Sequence, residues 1–243
     1  MRLQERTVVV VGGGSGIGKA IAAQSVAAGA DVIVSSRNRA NLDQTVADIG
    51  AGTAIPVDMT DPDAVALWAD ALPEIDHLVI SASSAAHGPF SDLPEDNLRQ
   101  MFDAKFFGPY SIAKFALSKL RPGGSITFFS GVLSRRPGMN CSGLGAVNGA
   151  VEALARSLAL ELGPDIRVNC LSPGMVRSDA YAAMAPVPRE TMYEATGESL
   201  PVGRVGTVKE TAEAATFLMT NAYTTGVVLD VDGGHMIRQY AHR

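Results

Sequence analysis

The hydrophobic positions along the chain switch period in a regular alternation. "TVVVV" at Thr7–Val11 is an unbroken β-branched run, the pattern of a strand buried on both faces. The glycines and small-residue helix "IGKAIAAQSVAAGA" follow, then a second strand, "DVIVSS", and the helix "RANLDQTVADIG" ending at Gly50. "TAIPVDM" predicts a third strand, and "PDAVALWADALPEI" a helix with Pro62 in its first turn. "HLVISAS" reads as a fourth strand, and "PEDNLRQMFDAKFFGPYSIAKFALSKL" as two helical segments broken near Gly108 and Pro109. "GGSITFFSG" and "IRVNCLSPG" are the fifth and sixth strands. A last helix, "VKETAEAATFLMTN", precedes the closing strand "GVVLDVDGG". Doubly buried strands separated by helices imply an α/β fold: one doubly wound domain over 1–243, a parallel sheet with helices on both faces. No linker, repeat or low-complexity tract interrupts it.

Between the fifth and sixth strands, Leu144, Val147, Val151, Leu154, Leu158 and Leu162 recur at helical spacing. Leu144 and Asn148 lie four apart and share one face of this helix. The first turns are crowded with small residues, as if something must approach closely. Gly145, Gly149 and Ala153 form a small-residue ridge that permits close packing, either on the helix's own sheet or on a second copy.

Composition narrows the partners. The chain has 243 residues, 47% of them hydrophobic, and a net charge of −5, which argues against nucleic-acid or anionic-membrane binding. Gly, Asp and Arg interrupt every apolar run before bilayer length, so no membrane partner is expected. "MRLQERTVVVVGGG" reads as a first strand rather than a signal peptide. Two cysteines, Cys141 and Cys170, make no secreted disulfide framework, and reduced thiols with a cytoplasmic location are expected.

Candidate chemistry begins at "VVVVGGGSGIGKA". Five glycines stand between positions 12 and 18, more than a tight turn requires. Glycines before a helix N-terminus let the backbone approach a pyrophosphate, which the free N–H groups attract. The spacing from Gly13 to Lys19 also approximates a P-loop, but Ala20 stands where a magnesium-binding hydroxyl belongs, and no acidic second ligand follows. A dinucleotide site of Rossmann type is the better reading, and no metal site is expected.

Gly12-x-x-x-Gly16-Ile17-Gly18 resembles the signature of the short-chain dehydrogenase/reductase family, and the similarity spans the whole chain. "VDMTD" at 57–61 resembles that family's adenine-contacting loop, "IRVNCLSPGMV" at 166–176 its nicotinamide-side segment, and "TTGVVLDVDGG" its closing strand. Val11 departs from the Thr usual before the first glycine. The resemblance implies cofactor contacts from Gly12, Gly14, Ser15, Gly16, Ile17 and Gly18, and from Ser36, Arg37 and Asn38 after the second strand. It implies further contacts from Asp58 and Met59, from Ala82 and Ser83, from Asn148, and from Pro173, Gly174 and Val176. An acidic residue closing the second strand would favour NAD; here Ser36 is followed by Arg37, so NADP(H) is preferred over NAD(H).

In the family a Ser, a Tyr, a Lys and a supporting Asn handle the proton. Alignment through "SPGMV" and "ALELG" places Gly131, Leu144, Asn148 and Lys105 at those four positions. No tyrosine lies between Phe129 and Leu162, so no small slip of register restores the set. The remaining polar candidates are Lys105, Asn148 and Ser130, with Lys105 and Asn148 exchanging the family's Asn and Lys. Ser130 and Ser134 read more simply as strand-end hydroxyls. Cys141 reads as a small apolar residue with no nearby histidine partner, and His87 as a surface residue near the site. Two functions stay open: a reductase with a non-standard site acting on an activated C=C, C=N or carbonyl acceptor, or a non-catalytic NADP(H)-binding redox sensor or assembly partner. The resemblance further implies a homodimer or homotetramer and a mobile substrate lid at 178–203.

Overall fold

Seven strands pair in parallel in the order β3-β2-β1-β4-β5-β6-β9. The computed structural model describes residues 3–81 and 86–238. The central strand β1 (Thr7–Val11) pairs with β2 (Asp31–Ser35) on one side and β4 (Ile75–Ile80) on the other. β3 (Thr53–Ala54) forms one edge; β5 (Leu120–Phe129), β6 (Arg167–Pro173) and β9 (Val228–Val231) complete the other half. The order reverses between β1 and β4, and in such sheets the crevice beyond the strand C-termini at that point is the natural ligand site.

Alternation along β1 divides the core. Val9 and Val11 pack with Trp68, Ile112 and Val151 on one face of the sheet, while Val8 and Val10 pack with Ile21, Leu42 and Ala212 on the other. Each fully buried valine contributes about 1.5–3 kcal/mol by removal from water. The first face carries α3 (Pro62–Asp70), α5 (Gly108–Ala116) and α6 (Ser142–Glu161); the second carries α1 (Gly16–Ala27), α2 (Arg39–Ile49) and α8 (Val208–Thr220).

Several boundaries differ from expectation for local reasons. The third strand keeps only two residues because Pro56 has no N–H, yet Ile55 and Val57 still donate to Val34 and Ser36 carbonyls at 3.0 and 3.1 Å. The predicted break near Gly108 and Pro109 is a π-turn at Asp103–Phe107 between α4 (Glu95–Phe102) and α5. Pro109 cannot donate to the Lys105 carbonyl four residues back, so the helix widens there. The segment expected as a loop holds α7 (Pro186–Glu198), whose prolines lie in the first turn where no intrahelical N–H is needed. A second sheet, absent from the sequence reading, pairs β7 (Val176–Arg177) with β8 (Gly206–Thr207).

Candidate active site

The glycine loop is shaped by contacts that only glycine permits. Gly12 has φ +90° and Gly16 φ +51°. A Cβ on Gly18 would lie 2.1 Å from the Gly12 carbonyl oxygen, so the start of α1 rests directly on the loop. Ser15, at the N-cap of α1, makes no side-chain cap, leaving first-turn N–H groups for another acceptor. One is taken: Gly16 N–H donates to Asp179 Oδ2 at 3.0 Å. The loop borders a cleft of about 730 Å³ at the sheet's reversal point, with Gly12, Gly14, Ser15, Gly16, Ile17 and Gly18 along its floor. This glycine cradle on a helix N-terminus that Asp179 only partly occupies fits a dinucleotide pyrophosphate. Lys19 instead pairs with Asp48 of α2, which removes it from any P-loop role.

Beyond β2, Ser36, Arg37 and Asn38 line the same cleft, as do Asp58 and Met59. A Cβ on Gly14 would lie 3.0 Å from Ser36 Oγ, so a longer side chain at either position would crowd the loop. Asn38 is partly spoken for, because its Oδ1 accepts from Asn41 N at 3.1 Å and caps α2. Arg39 pairs with Asp43 at 2.8 Å, whereas Arg37 makes no hydrogen bond or ion pair among the described residues. The Thr60 hydroxyl and N–H hold the Asp58 carboxyl below its ordinary range, and the Arg37 charge adds to this.

Pro173, Gly174 and Val176 are not among the residues lining this cleft; the chain reaches it at Ser178, Asp179 and Ala180. Gly174 answers a packing demand, since its Cβ would lie 2.8 Å from Asp232 Cα beside β9, and Val176 is buried in β7. Ala82 and Ser83 lie outside the described residues.

Where β5 ends, three elements converge on Ser130 and Gly131. Lys105, turned inward by the π-turn and 6% exposed, donates from Nζ to the Ser130 carbonyl at 3.2 Å. Burial lowers its ammonium to about 8, only partly offset by Cys170 beside it. Asn148 on α6, also buried, donates from Nδ2 to the next carbonyl, Gly131, at 3.3 Å, and its Oδ1 has no partner among the described residues. A Cβ at Gly131 would lie 3.1 Å from Asn148 Nδ2, so the bare backbone at 131 and the amide at 148 fit together. The two side chains therefore address consecutive carbonyls, without a hydrogen bond between them.

Ser130 is less available than the sequence suggests. Its hydroxyl donates to Glu152 Oε1 at 3.1 Å, as does that of Ser134. Arg135 Nε approaches Glu152 Oε2 at 3.4 Å and also pairs with Asp230. Glu152, one turn beyond Asn148 and 3% exposed, thus ties the end of β5 to α6. The sequence reading missed it, because a Glu in an amphipathic helix normally faces water.

The chain also brings His87 to Cys141, contrary to expectation. Cys141 Sγ lies 3.4 Å from His87 Nδ1 and donates toward the Met139 carbonyl at 3.1 Å. Gly88 N–H donates to the Asn140 carbonyl at 3.0 Å, which clamps the loop after β4 to the start of α6. A helix N-terminus would lower a thiol pKa, but burial dominates and pushes Cys141 up. Both cysteines are free thiols.

Comparison with known proteins decides the family. The profile of the family described as "Enoyl-(Acyl carrier protein) reductase" matches residues 12–236. A short-chain type dehydrogenase/reductase structure from Mycobacterium ulcerans superposes with a TM-score of 0.90 at 31% identity, covering 98% of this chain and 92% of that one. The chain belongs to the short-chain dehydrogenase/reductase family. A small-chain dehydrogenase solved in complex with NADPH is 35% identical, with a TM-score of 0.85 over 96% of this chain and all (100%) of that chain. Mouse L-fucose dehydrogenase is 34% identical over 96% of this chain and 89% of its own length. As a member of this family, the chain is of an oxidoreductase type that binds a nicotinamide cofactor. No helix among the described residues is long and apolar enough to cross a membrane, and no group of three or more potential ligands among them could hold a metal ion.

Proposed function

We propose that this short-chain dehydrogenase/reductase binds NADP(H) and reduces an activated C=C, C=N or carbonyl acceptor through a non-standard site. The observation that carries this reading is the buried Lys105–Asn148 arrangement beside an intact cofactor cleft. An ammonium held at 6% exposure by one carbonyl costs stability, and a discarded site gives no reason to keep it. Its spare donors, with the unpartnered Asn148 Oδ1, suit the hydroxyls of a nicotinamide ribose. Gly131 and Leu144 supply no acid where the family's Ser and Tyr are expected, which favours acceptors that ask little of a protein proton donor. Leu144 is also the feature that favours the second reading, a non-catalytic NADP(H)-binding sensor or assembly partner.

Preference for the phosphorylated cofactor rests on Arg37, which lines the cleft beside Ser36 and makes no hydrogen bond or ion pair among the described residues. Calorimetric titration tests it. The parent binds NADPH more tightly than NADH, and Arg37→Ala loses about 1.5–3 kcal/mol of NADPH affinity with little change for NADH. Equal affinity for both cofactors in the parent contradicts the assignment.

The 178–203 segment, with α7, is the natural substrate cover of this reading. A homodimer or homotetramer is favoured by Tyr110 and Phe115, exposed on α5, and by Gly149, which has nothing within 4 Å of its Cβ position. Gly145 does not join that free ridge, because it packs on the Leu133 carbonyl. Light scattering at micromolar concentration reads the mass directly, and a monomer contradicts the assembly.

A further inference from the structure

We infer that Asp179 is a latch on the α7 cover, released by phosphate: its carboxylate fastens the cover to the glycine loop until an incoming diphosphate takes the same N–H. This rests on the proposed dinucleotide site and names how that site is regulated. The exposed carboxylate lines the cleft and accepts from Gly16 N–H at 3.0 Å, at the start of α1. No lysine or arginine pairs with it among the described residues. An uncompensated negative charge therefore stands on a helix N-terminus, where the dipole favours an anion and where a phosphate would be held. The backbone is seated as closely, since a Cβ at Gly16 would touch Ser178 Cβ at 3.8 Å.

Asp179 moves with α7 because its neighbours are packed on that helix. Tyr193 Oη donates to the Ser178 carbonyl at 3.5 Å, and the Tyr181 and Tyr193 rings meet edge to face at 5.8 Å. Arg177 lies 4.5 Å over the Tyr193 ring and donates to Glu190 Oε1 at 2.8 Å. The turn Asp179–Tyr181 and the inner edge of α7 thus form one body. Among the described residues, the Asp179–Gly16 hydrogen bond is the one polar link from this body to the glycine loop. A carboxylate and a phosphate cannot share one N–H, so the fastened cover and a bound diphosphate exclude each other. By linkage each weakens the other by the same factor. The cover is therefore released by the anionic middle of the cofactor, before any contact from the nicotinamide end is needed.

Hydrogen exchange of the full chain, read by mass spectrometry over 179–198 and over α6 as an internal reference, tests the latch without needing an acceptor. The Asp179 side chain is exposed, so Asp179→Ala leaves the core intact. In that variant, exchange over 179–198 is expected to rise at least about threefold above the parent while α6 exchanges as before. Saturating inorganic pyrophosphate, which brings the anion without a nicotinamide, raises the parent to the level of the variant and leaves the variant unchanged. Parent-like exchange in Asp179→Ala overturns the latch. So does a parent that binds pyrophosphate in calorimetry with no change over 179–198. A parent that binds no pyrophosphate, with the rise in Asp179→Ala as expected, overturns the cradle reading and the release step and leaves the Asp179 contact standing.

Discussion

At the scale of single residues, Lys105 is the side chain whose chemistry is most altered by its place in the fold. Its folded pKa of about 8 lies below the ordinary 10.5, so between those values the unfolded chain holds a proton that the folded chain has released. The sign follows: the burial cost is fully present below pH 8 and is relieved as pH rises toward 10.5. Lys105→Met keeps the volume and removes the charge, so at pH 7 the variant unfolds at higher denaturant than the parent. The gap then narrows by on the order of 2 kcal/mol by pH 9.5. Urea titrations of both proteins across that range check it, and a pH-independent gap contradicts the buried ammonium. The identity of this lysine was legible in the sequence as an exchange with Asn148. Its inward direction was not, because that depends on the π-turn that Pro109 imposes on the preceding residues.

At the scale of elements, α6 organises the site through positions one turn apart: Asn148 holds the Gly131 carbonyl and Glu152 holds Ser130 and Ser134. The helix itself was readable from its leucine and valine spacing, as was β1 from its run of valines. What those positions touch was hidden, since every partner lies on another element. The same holds for Asp179. Its carboxylate takes the Gly16 N–H at the point where an incoming pyrophosphate would bind, so cofactor must displace one anion with another. Asp179→Asn weakens that competition and removes a repulsion. It is expected to tighten NADPH binding severalfold, and the gain should shrink at high salt. Unchanged or weaker binding in calorimetry would mean that the carboxylate does not oppose the cofactor. The α7 helix escaped the sequence reading for a different reason: its two early prolines look like loop chemistry until their first-turn position is known.

At the scale of the whole molecule, the alternation of doubly buried strands with helices sufficed to specify a parallel sheet, and the glycine loop marked the end of it at which the cleft opens. The sequence could not show that segments far apart in the chain, the glycine loop, the turn after β2, the π-turn and the stretch after β7, close over one cleft. Nor could it show that His87 meets Cys141 at the start of α6. The central claim is that this assembly still transfers hydride although Gly131 and Leu144 carry no acid. Absorbance at 340 nm, followed with NADPH and a panel of enones, imines and ketones, tests it most directly. The account predicts oxidation with at least one enone, reduced at least tenfold in Lys105→Met. Stoichiometric NADPH binding with no oxidation across the panel would contradict it.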